Sequence, residues 1–255
     1  MSIGIIVMGL LVGFLVGLTG VGGASLLTPV LVLIGISPSI AVGTDLVYNS
    51  ITKFFGSMQH WRQKTIDFTL VKYLAIGSIP SAICAVGVLH LFDSFFHNQE
   101  LIIRHALGYV LIIVALMTLV KTFLKEQFEW NDVQMKPIHE KKRLTIAIGA
   151  IGGFVVGLTS IGSGSLFALA MLYLYKMNPS KLVGTDIAHA FLLATSAGLV
   201  HAGIGNVDYV LMFNLLLGSI PGVMLGSALS SKLPTKPLRA IMAVIILISG
   251  FKLIY

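Results

Sequence analysis

The chain carries the same glycine-rich segment twice, each time inside an apolar stretch that is too long for one membrane-spanning helix. GFLVGLTGVGGASL occupies residues 13–26, and GFVVGLTSIGSGSL occupies residues 153–166, at an offset of 140 residues. The surrounding stretches, 3–34 and 144–175, both exceed the roughly 20 residues that a spanning helix needs. The sequence therefore predicts two homologous halves, each beginning with a helix pair broken by glycines.

The repeat continues beyond the glycine-rich segments and sets the domain boundaries. PSIAVGTDL at 38–46 returns as PSKLVGTDI at 179–187. We therefore divide the chain into an N-terminal membrane repeat (1–124), a polar cytoplasmic linker (125–143) and a C-terminal membrane repeat (144–255).

The composition excludes a soluble or disordered protein. Hydrophobic residues make up 56% of the chain and charged residues only 11%, whereas soluble domains carry about 25% charged residues. We predict an all-α integral membrane protein. A net charge of +7 would suggest nucleic acid in a soluble protein, but here it indicates basic cytoplasmic loops and no nucleic-acid partner. No metal-ligand set, cofactor motif or catalytic arrangement is evident, so we expect no cofactor, no metal site and no enzymatic activity.

The distribution of Lys and Arg decides between two topologies. If each broken segment crosses the membrane once, the loops divide nine basic residues against five. If each is a re-entrant hairpin, thirteen lie on one side and only Lys252 on the other, which fits the positive-inside rule better. Each half then crosses an odd number of times. The predicted fold is two inverted-topology repeats, each a glycine-broken re-entrant hairpin followed by three transmembrane helices, with both termini extracytoplasmic.

The two breaks are candidates for a substrate site. A half-helix that begins after each break presents unpaired N–H groups and a partial positive charge, which favour an anion. Close helix packing through small residues is the alternative explanation. The predicted substrate-binding residues at the breaks are Thr19, Gly22, Gly23, Ser25, Thr159, Gly162, Ser163 and Ser165.

The helix after each hairpin carries polar residues inside an apolar span. Asp45, Asn49 and Lys53 recur at helical spacing and share one face. We predict that Asn49 and Lys53 bind substrate, because charges in a membrane span usually face a cavity or a partner. Asp45, its repeat counterpart Asp186 and the nearby His189 are candidates for proton or ion coupling. A helix-start role for the two aspartates remains an equal alternative.

The quoted residues resemble a known family. GFLVGLTGVGGASLLTPVLVLIGISPSIAVGTDL, echoed after residue 153, is similar to the TauE/SafE family of sulfite exporters and toluenesulfonate uptake permeases. The resemblance implies a prokaryotic inner-membrane transporter of sulfur-containing anions. Two features depart from the family pattern. Asp follows Gly-Thr in both copies where Ser is common, which suggests a proton or cation dependence, and Ser160 and Ser163 replace Gly20 and Gly23 in the second break.

Together these features predict a secondary transporter that works by alternating access in the cell inner membrane. The predicted substrate is a small sulfur-containing anion, sulfite or an organosulfonate such as sulfoacetate, and the predicted direction is export. The predicted partners are the lipid bilayer, the anionic substrate and a proton as coupling ion, and the oligomeric state, a homo-oligomer included, stays open. A passive anion channel and a non-transporting accessory subunit of sulfur metabolism are the alternatives.

Overall fold

The computed structural model of this chain is helical throughout the part that it describes. That part comprises residues 3–19, 24–96, 99–123, 132–135, 137–230 and 235–255. No strand occurs within these ranges. The expectation of an all-α protein is confirmed.

The first half opens with two helices on either side of its glycine-rich segment and continues with three long helices. These helices are α1 (Ile3–Thr19), α2 (Ala24–Leu33), α3 (Pro38–Arg62), α4 (Phe68–Phe96) and α5 (Gln99–Phe123). Residues 20–23, between α1 and α2, lie outside the described part. Pro38 stands at the start of α3, where its fixed φ suits the helix and its missing N–H removes no hydrogen bond.

The second half repeats this order after a short helix in the linker. The remaining helices are α6 (Asp132–Met135), α7 (Lys142–Thr159), α8 (Leu166–Leu174), α9 (Pro179–Gly203), α10 (Tyr209–Ser230) and α11 (Thr235–Ile254). A proline again stands at the start of the central helix, Pro179 in α9. Pro80 and Pro221 lie at repeat-related places inside α4 and α10. The predicted order of two helices followed by three long ones thus occurs in both halves, and the break between the first two is described in the second half alone.

Glycines bring the first helix of each half against the fourth helix of the other half. Along α1, a Cβ placed on Gly13 would lie 2.5 Å from the carbonyl oxygen of Ser219 in α10. Along α7, a Cβ placed on Gly153 would lie 2.3 Å from the carbonyl oxygen of Ser78 in α4. Backbones can approach this closely only where one residue lacks a side chain. In both pairs the contacts advance in the same direction along the two helices, so α1 runs parallel to α10 and α7 runs parallel to α4.

Two further contacts between the halves join repeat-equivalent helices. In the α3–α9 pair, Gly56 faces Ile187 whereas Gly198 faces Val47, so these helices are antiparallel. In the α5–α11 pair, Gly108 and Gly250 approach each other, and these helices also run antiparallel. The two halves therefore interlock through all four of their long helices, and α3 and α9 occupy the centre.

Five described helices are long and apolar enough to cross a membrane. These spans are Phe68–Leu91, Glu100–Val120, Lys142–Thr159, Pro179–Gly203 and Tyr209–Leu229. Helix α3 is long enough but is not among them, because its interior carries several polar and charged side chains. Those side chains are largely buried by protein rather than exposed on the helix surface. The chain is therefore a multi-pass membrane protein whose least apolar long helix lies inside the bundle.

The linker is attached to the second half by a buried lysine. Lys141 Nζ donates to the carbonyl oxygen of Leu174 at the end of α8, over 2.7 Å. The same ammonium lies 4.3 Å from the centroid of the Tyr175 ring. Because the last carbonyl groups of a helix have no partner within it, this lysine satisfies one of them.

Candidate functional site

The second break is a short irregular segment buried at the centre of the protein. Helix α7 ends at Thr159, and Ser160 follows in the left-handed region with φ of 62°. Gly162 has φ of 101°, and a Cβ there would lie 2.5 Å from the side chain of Leu166. Glycine is therefore the residue that this turn accommodates. Irregular backbone within a membrane protein persists where surrounding protein or a water-filled cavity satisfies its polar groups, so the contacts of this segment define the candidate site.

Asp45 connects three segments that are far apart in the sequence. Its carboxylate is fully buried. Oδ2 accepts from the Thr28 hydroxyl of α2 at 2.7 Å and from the Ser160 hydroxyl of the second break at 2.5 Å. Oδ1 accepts from the Asn49 amide at 2.8 Å. An ionised carboxylate can only accept hydrogen bonds, and all three neighbouring groups donate to it. The arrangement therefore suits the ionised form of Asp45.

Lys53 carries a positive charge from α3 to the same break. Its Nζ donates to the Ser163 hydroxyl at 2.8 Å and to the Ser163 carbonyl oxygen at 3.3 Å. The ammonium is within electrostatic range of both Asp45 and Asp186. The Lys53 cation thus lies beside the start of α8, where the helix carries a partial positive charge, and within electrostatic range of two carboxylates.

Asp186 and His189 reach this region from α9. Asp186 is buried, with 7% of its surface exposed, and His189 is fully buried. His189 Nε2 lies 2.8 Å from the hydroxyl of Ser78 in α4. The imidazole also packs against the ring of Phe167, the second residue of α8, with ring centroids 4.4 Å apart. The first and second halves therefore both contribute polar groups to the candidate site.

The repeated Gly-Thr-Asp motif places each aspartate by clamping a loop of the opposite half. Thr44 Oγ1 accepts from the backbone N–H of Asp208 at 3.0 Å. Thr185 Oγ1 accepts from the backbone N–H of Asp67 at 2.9 Å. The preceding glycine makes room, since a Cβ on Gly43 would come within 2.0 Å of a carbonyl oxygen in the facing loop. The glycine and threonine thus hold the halves together, and the aspartate one position further faces the interior.

The predicted site residues divide by where the structure places them. The structure brings together Asp45, Asn49, Lys53, Ser163, Asp186 and His189 around the second break. Thr159 is engaged with backbone: its hydroxyl donates to the Val155 carbonyl and accepts from the N–H of Ile161. Ser165 precedes α8 at the N-cap position without a side-chain cap bond.

The first break is described only in part. Ser25 is buried near the start of α2. Thr19 ends α1, and Gly22 and Gly23 lie outside the described residues. The predicted contribution of this break to a substrate site therefore stays a prediction.

The structure places two hydroxyl groups from outside the second break in direct contact with the candidate groups, and neither residue was predicted from the sequence as part of the site. Thr28 bonds to Asp45, and Ser78 bonds to His189. The available signal for Ser78 was its place in the repeated Gly-Ser-Ile-Pro motif of α4 and α10. Thr28 lies in the largely apolar helix α2, and its repeat counterpart Ala168 has no hydroxyl.

Comparisons with known proteins agree on the family. Residues 5–253 match the family described as Sulfite exporter TauE/SafE. The chain is 65% identical over 254 residues to the "Probable membrane transporter protein YjnA" of Bacillus subtilis (strain 168), covering 100% of both chains. It is 27% identical to the "Probable membrane transporter protein YunE" of the same organism, over 98% of this chain and 96% of the relative. It is 26% identical to the "Probable membrane transporter protein YfcA" of Escherichia coli (strain K12), over 96% and 87%. No solved structure matches the chain.

Proposed function

We propose, from the premise that this chain belongs to the sulfite exporter TauE/SafE family, that it exports a small sulfur-containing anion by alternating access. The family and the names of its relatives indicate a membrane transporter rather than an enzyme. The proposed substrate is sulfite or an organosulfonate such as sulfoacetate, and the proposed location is the cell inner membrane. The inside-negative membrane potential favours outward movement of an anion.

The observation that carries the proposal is the placement of the Lys53 ammonium at the second helix break. Its hydrogen bonds to Ser163 hold the charge next to the start of α8. An ammonium, a hydroxyl and the N–H groups of a helix start together form a site that favours an oxyanion. Broken helices whose half-helix N-termini point at anionic substrate groups are a recurring design of secondary transporters.

The proposed site is asymmetric although the chain is repeated. The repeat counterparts of Asn49 and Lys53 are Ala190 and Ala194, which carry no polar group. The substrate-binding charge therefore comes from the first half and acts on the break of the second half. This arrangement would make the affinity for the anion depend on how the two halves are positioned, as alternating access requires.

Coupling is proposed to involve the carboxyl groups near Lys53. With Asp45 and Asp186 ionised, the site holds two negative charges against one positive charge, so an incoming anion is repelled. Protonation of one carboxyl removes that repulsion, because like charges at close range are costly in a low dielectric. The proposed transporter should therefore bind its substrate more tightly when the site takes up a proton.

Helix directions support the proposal that the halves are inverted. Short turns join α3 to α4 and α9 to α10, so each pair runs in opposite directions. Since α3 is antiparallel to α9, and α1 and α7 run parallel to α10 and α4, each long helix opposes its repeat counterpart. The thirteen-to-one division of basic residues then supports a cytoplasmic linker and two extracytoplasmic termini.

The test is uptake of labelled sulfite into proteoliposomes that contain the purified protein. Sulfoacetate, thiosulfate, sulfate and chloride serve as competitors, with a proton gradient and an electrical potential imposed separately. Saturable flux with counterflow supports the proposed transporter. Flux that neither saturates nor exchanges indicates a passive anion channel, and no flux under either driving force indicates an accessory subunit.

A variant pair then tests the role of Lys53. Lys53→Gln should raise the KM for the anion by at least about tenfold, because it removes a charged hydrogen-bond donor from a buried site. Lys72→Gln changes an exposed lysine of α4 and serves as the control. Equal KM values for both variants would remove Lys53 from the substrate site.

A further inference from the structure

We infer that His189 donates a hydrogen bond to the transported anion and that Ser78 positions it for this role. The inference rests on the proposed function. It gives His189 a role in substrate binding, whereas its position in the sequence predicted a role in coupling. His189 is a fully buried imidazole inside a membrane protein. Polar groups in such places usually serve function, because leaving them without partners is unfavourable.

The two ring nitrogens of His189 have different surroundings. Nε2 lies 2.8 Å from the Ser78 hydroxyl. Nδ1 is buried and has no hydrogen-bond partner among the described residues. A buried donor or acceptor without a partner destabilises a protein. The structure therefore contains one imidazole nitrogen that a ligand could satisfy.

In the proposed arrangement the Ser78 hydroxyl is the donor to Nε2 and thereby selects the tautomer of the imidazole. A neutral imidazole has one N–H donor and one bare acceptor nitrogen. When Ser78 donates its hydroxyl proton to Nε2, the ring proton resides on Nδ1. His189 then presents an N–H donor at Nδ1. This donor can bind an oxyanion but offers no acceptor to a cation. Ser78 acts through His189 and is a positioning residue.

A second contact fixes the plane of the ring beside the half-helix start. Phe167 meets the imidazole edge-on, at a centroid distance of 4.4 Å. Gly152 leaves space for the phenyl group, since a Cβ there would lie 2.6 Å from its Cζ. His189 is also close enough to Lys53 for an electrostatic interaction between the two side chains. An anion held by Lys53 at the start of α8 would thus have a second, neutral donor nearby.

The repeat supplies a matched control for Ser78. The counterpart of Ser78 is Ser219 in α10, and the counterpart of His189 is Tyr48 in α3. The Ser219 hydroxyl is buried and interacts with the Tyr48 side chain rather than with a histidine. Serine-to-alanine changes at 78 and 219 therefore remove the same atom from equivalent helices, and only the first removes a bond to histidine.

The experiment measures KM and maximal rate of sulfite uptake into proteoliposomes at several pH values. Ser78→Ala should raise KM about five- to tenfold with little change in maximal rate, whereas Ser219→Ala should leave KM unchanged. His189→Asn keeps an N–H donor near the position of Nδ1, so its KM should rise less than that of His189→Gln, and the pH profile should persist. His189→Gln places its amide near the position of Nε2 and should bind sulfite at least as weakly as Ser78→Ala.

Three results would overturn the inference while leaving the proposed transporter intact. They are equal KM values for Ser78→Ala and Ser219→Ala, equal KM values for His189→Asn and His189→Gln, and a pH profile that disappears in His189→Asn. The last result would assign His189 to proton coupling. If one variant cannot be purified as a stable protein, sulfite binding by the remaining variants is compared through the increase in Tm that sulfite causes. If the wild type shows neither flux nor an increase in Tm with any sulfur anion, the proposed function and this inference both fail.

Discussion

The hydroxyl of Ser160 donates to the carboxylate of Asp45 over 2.5 Å, although 115 residues separate them in the chain. This bond joins the break of the second half to the central helix of the first. Ser160 makes it from a left-handed backbone conformation, with φ of 62°, which residues other than glycine seldom adopt. Its repeat counterpart is Gly20. A serine in this conformation is strained, and strain of this kind is characteristic of functional sites.

Two substitutions at Ser160 separate the hydrogen bond from the backbone strain. Ser160→Ala removes the hydroxyl and keeps a Cβ in the left-handed region, so we expect a loss of about 1–3 kcal/mol in stability. Ser160→Gly also removes the hydroxyl but relieves the strain, so its loss should be smaller. Thermal unfolding of the purified variants gives the comparison. A glycine variant that is less stable than the alanine variant would contradict this reading of the turn.

Neutralising both buried carboxylates tests proton coupling. Asp45→Asn combined with Asp186→Asn should abolish the pH dependence of transport, because these are the carboxyl groups that act on Lys53 within the described part of the chain. Protein abundance should stay near normal, since an amide keeps the shape of a carboxylate. Transport is measured across a pH series, with Glu140→Gln, an exposed carboxyl of the linker, as the control. An unchanged pH profile in the double variant would exclude these aspartates from coupling.

The close packing of α1 on α10 and of α7 on α4 predicts intolerance of added side chains. Gly13→Ala and Gly153→Ala would place a Cβ 2.5 Å and 2.3 Å from a facing carbonyl oxygen. Overpacking of this kind typically lowers stability by about 1–3 kcal/mol, so Tm should fall by several degrees. Gly87→Ala, where nothing lies within 4 Å, is the matched control and should leave Tm unchanged. Similar Tm values for all three variants would disprove the tight interface.

Cysteine labelling tests the inverted arrangement. A membrane-impermeant thiol reagent on intact cells should modify Ser37→Cys, which precedes α3, but not Asn178→Cys, which precedes α9. Asn178→Cys should react only after the cells are permeabilised. Both variants are made in a Cys84→Ser background, because the native cysteine is exposed on the protein surface. Equal labelling of the two positions from one side would eliminate the inverted repeat.

Sequence alone determined the helical class, the break of the second half and the shared face of α3. Hydropathy and glycine content act locally, so they set where helices can form and where they must stop. The break of the second half illustrates this, since α8 begins at Leu166, directly after the predicted serine. The helical spacing of Asp45, Asn49 and Lys53 likewise placed them on one stripe, and the structure has Asn49 bonded to Asp45.

Only the tertiary structure decided which groups these residues meet. Lys53 could have paired with Asp45 two turns away on its own helix, but its ammonium instead bonds to Ser163 in the other half. Thr28 reaches Asp45, and Ser78 reaches His189, because helices from distant parts of the chain pack side by side. Such contacts depend on interhelical distance and rotation, which arise from packing all four helix pairs at once. Periodicity within a single helix carries no information about them.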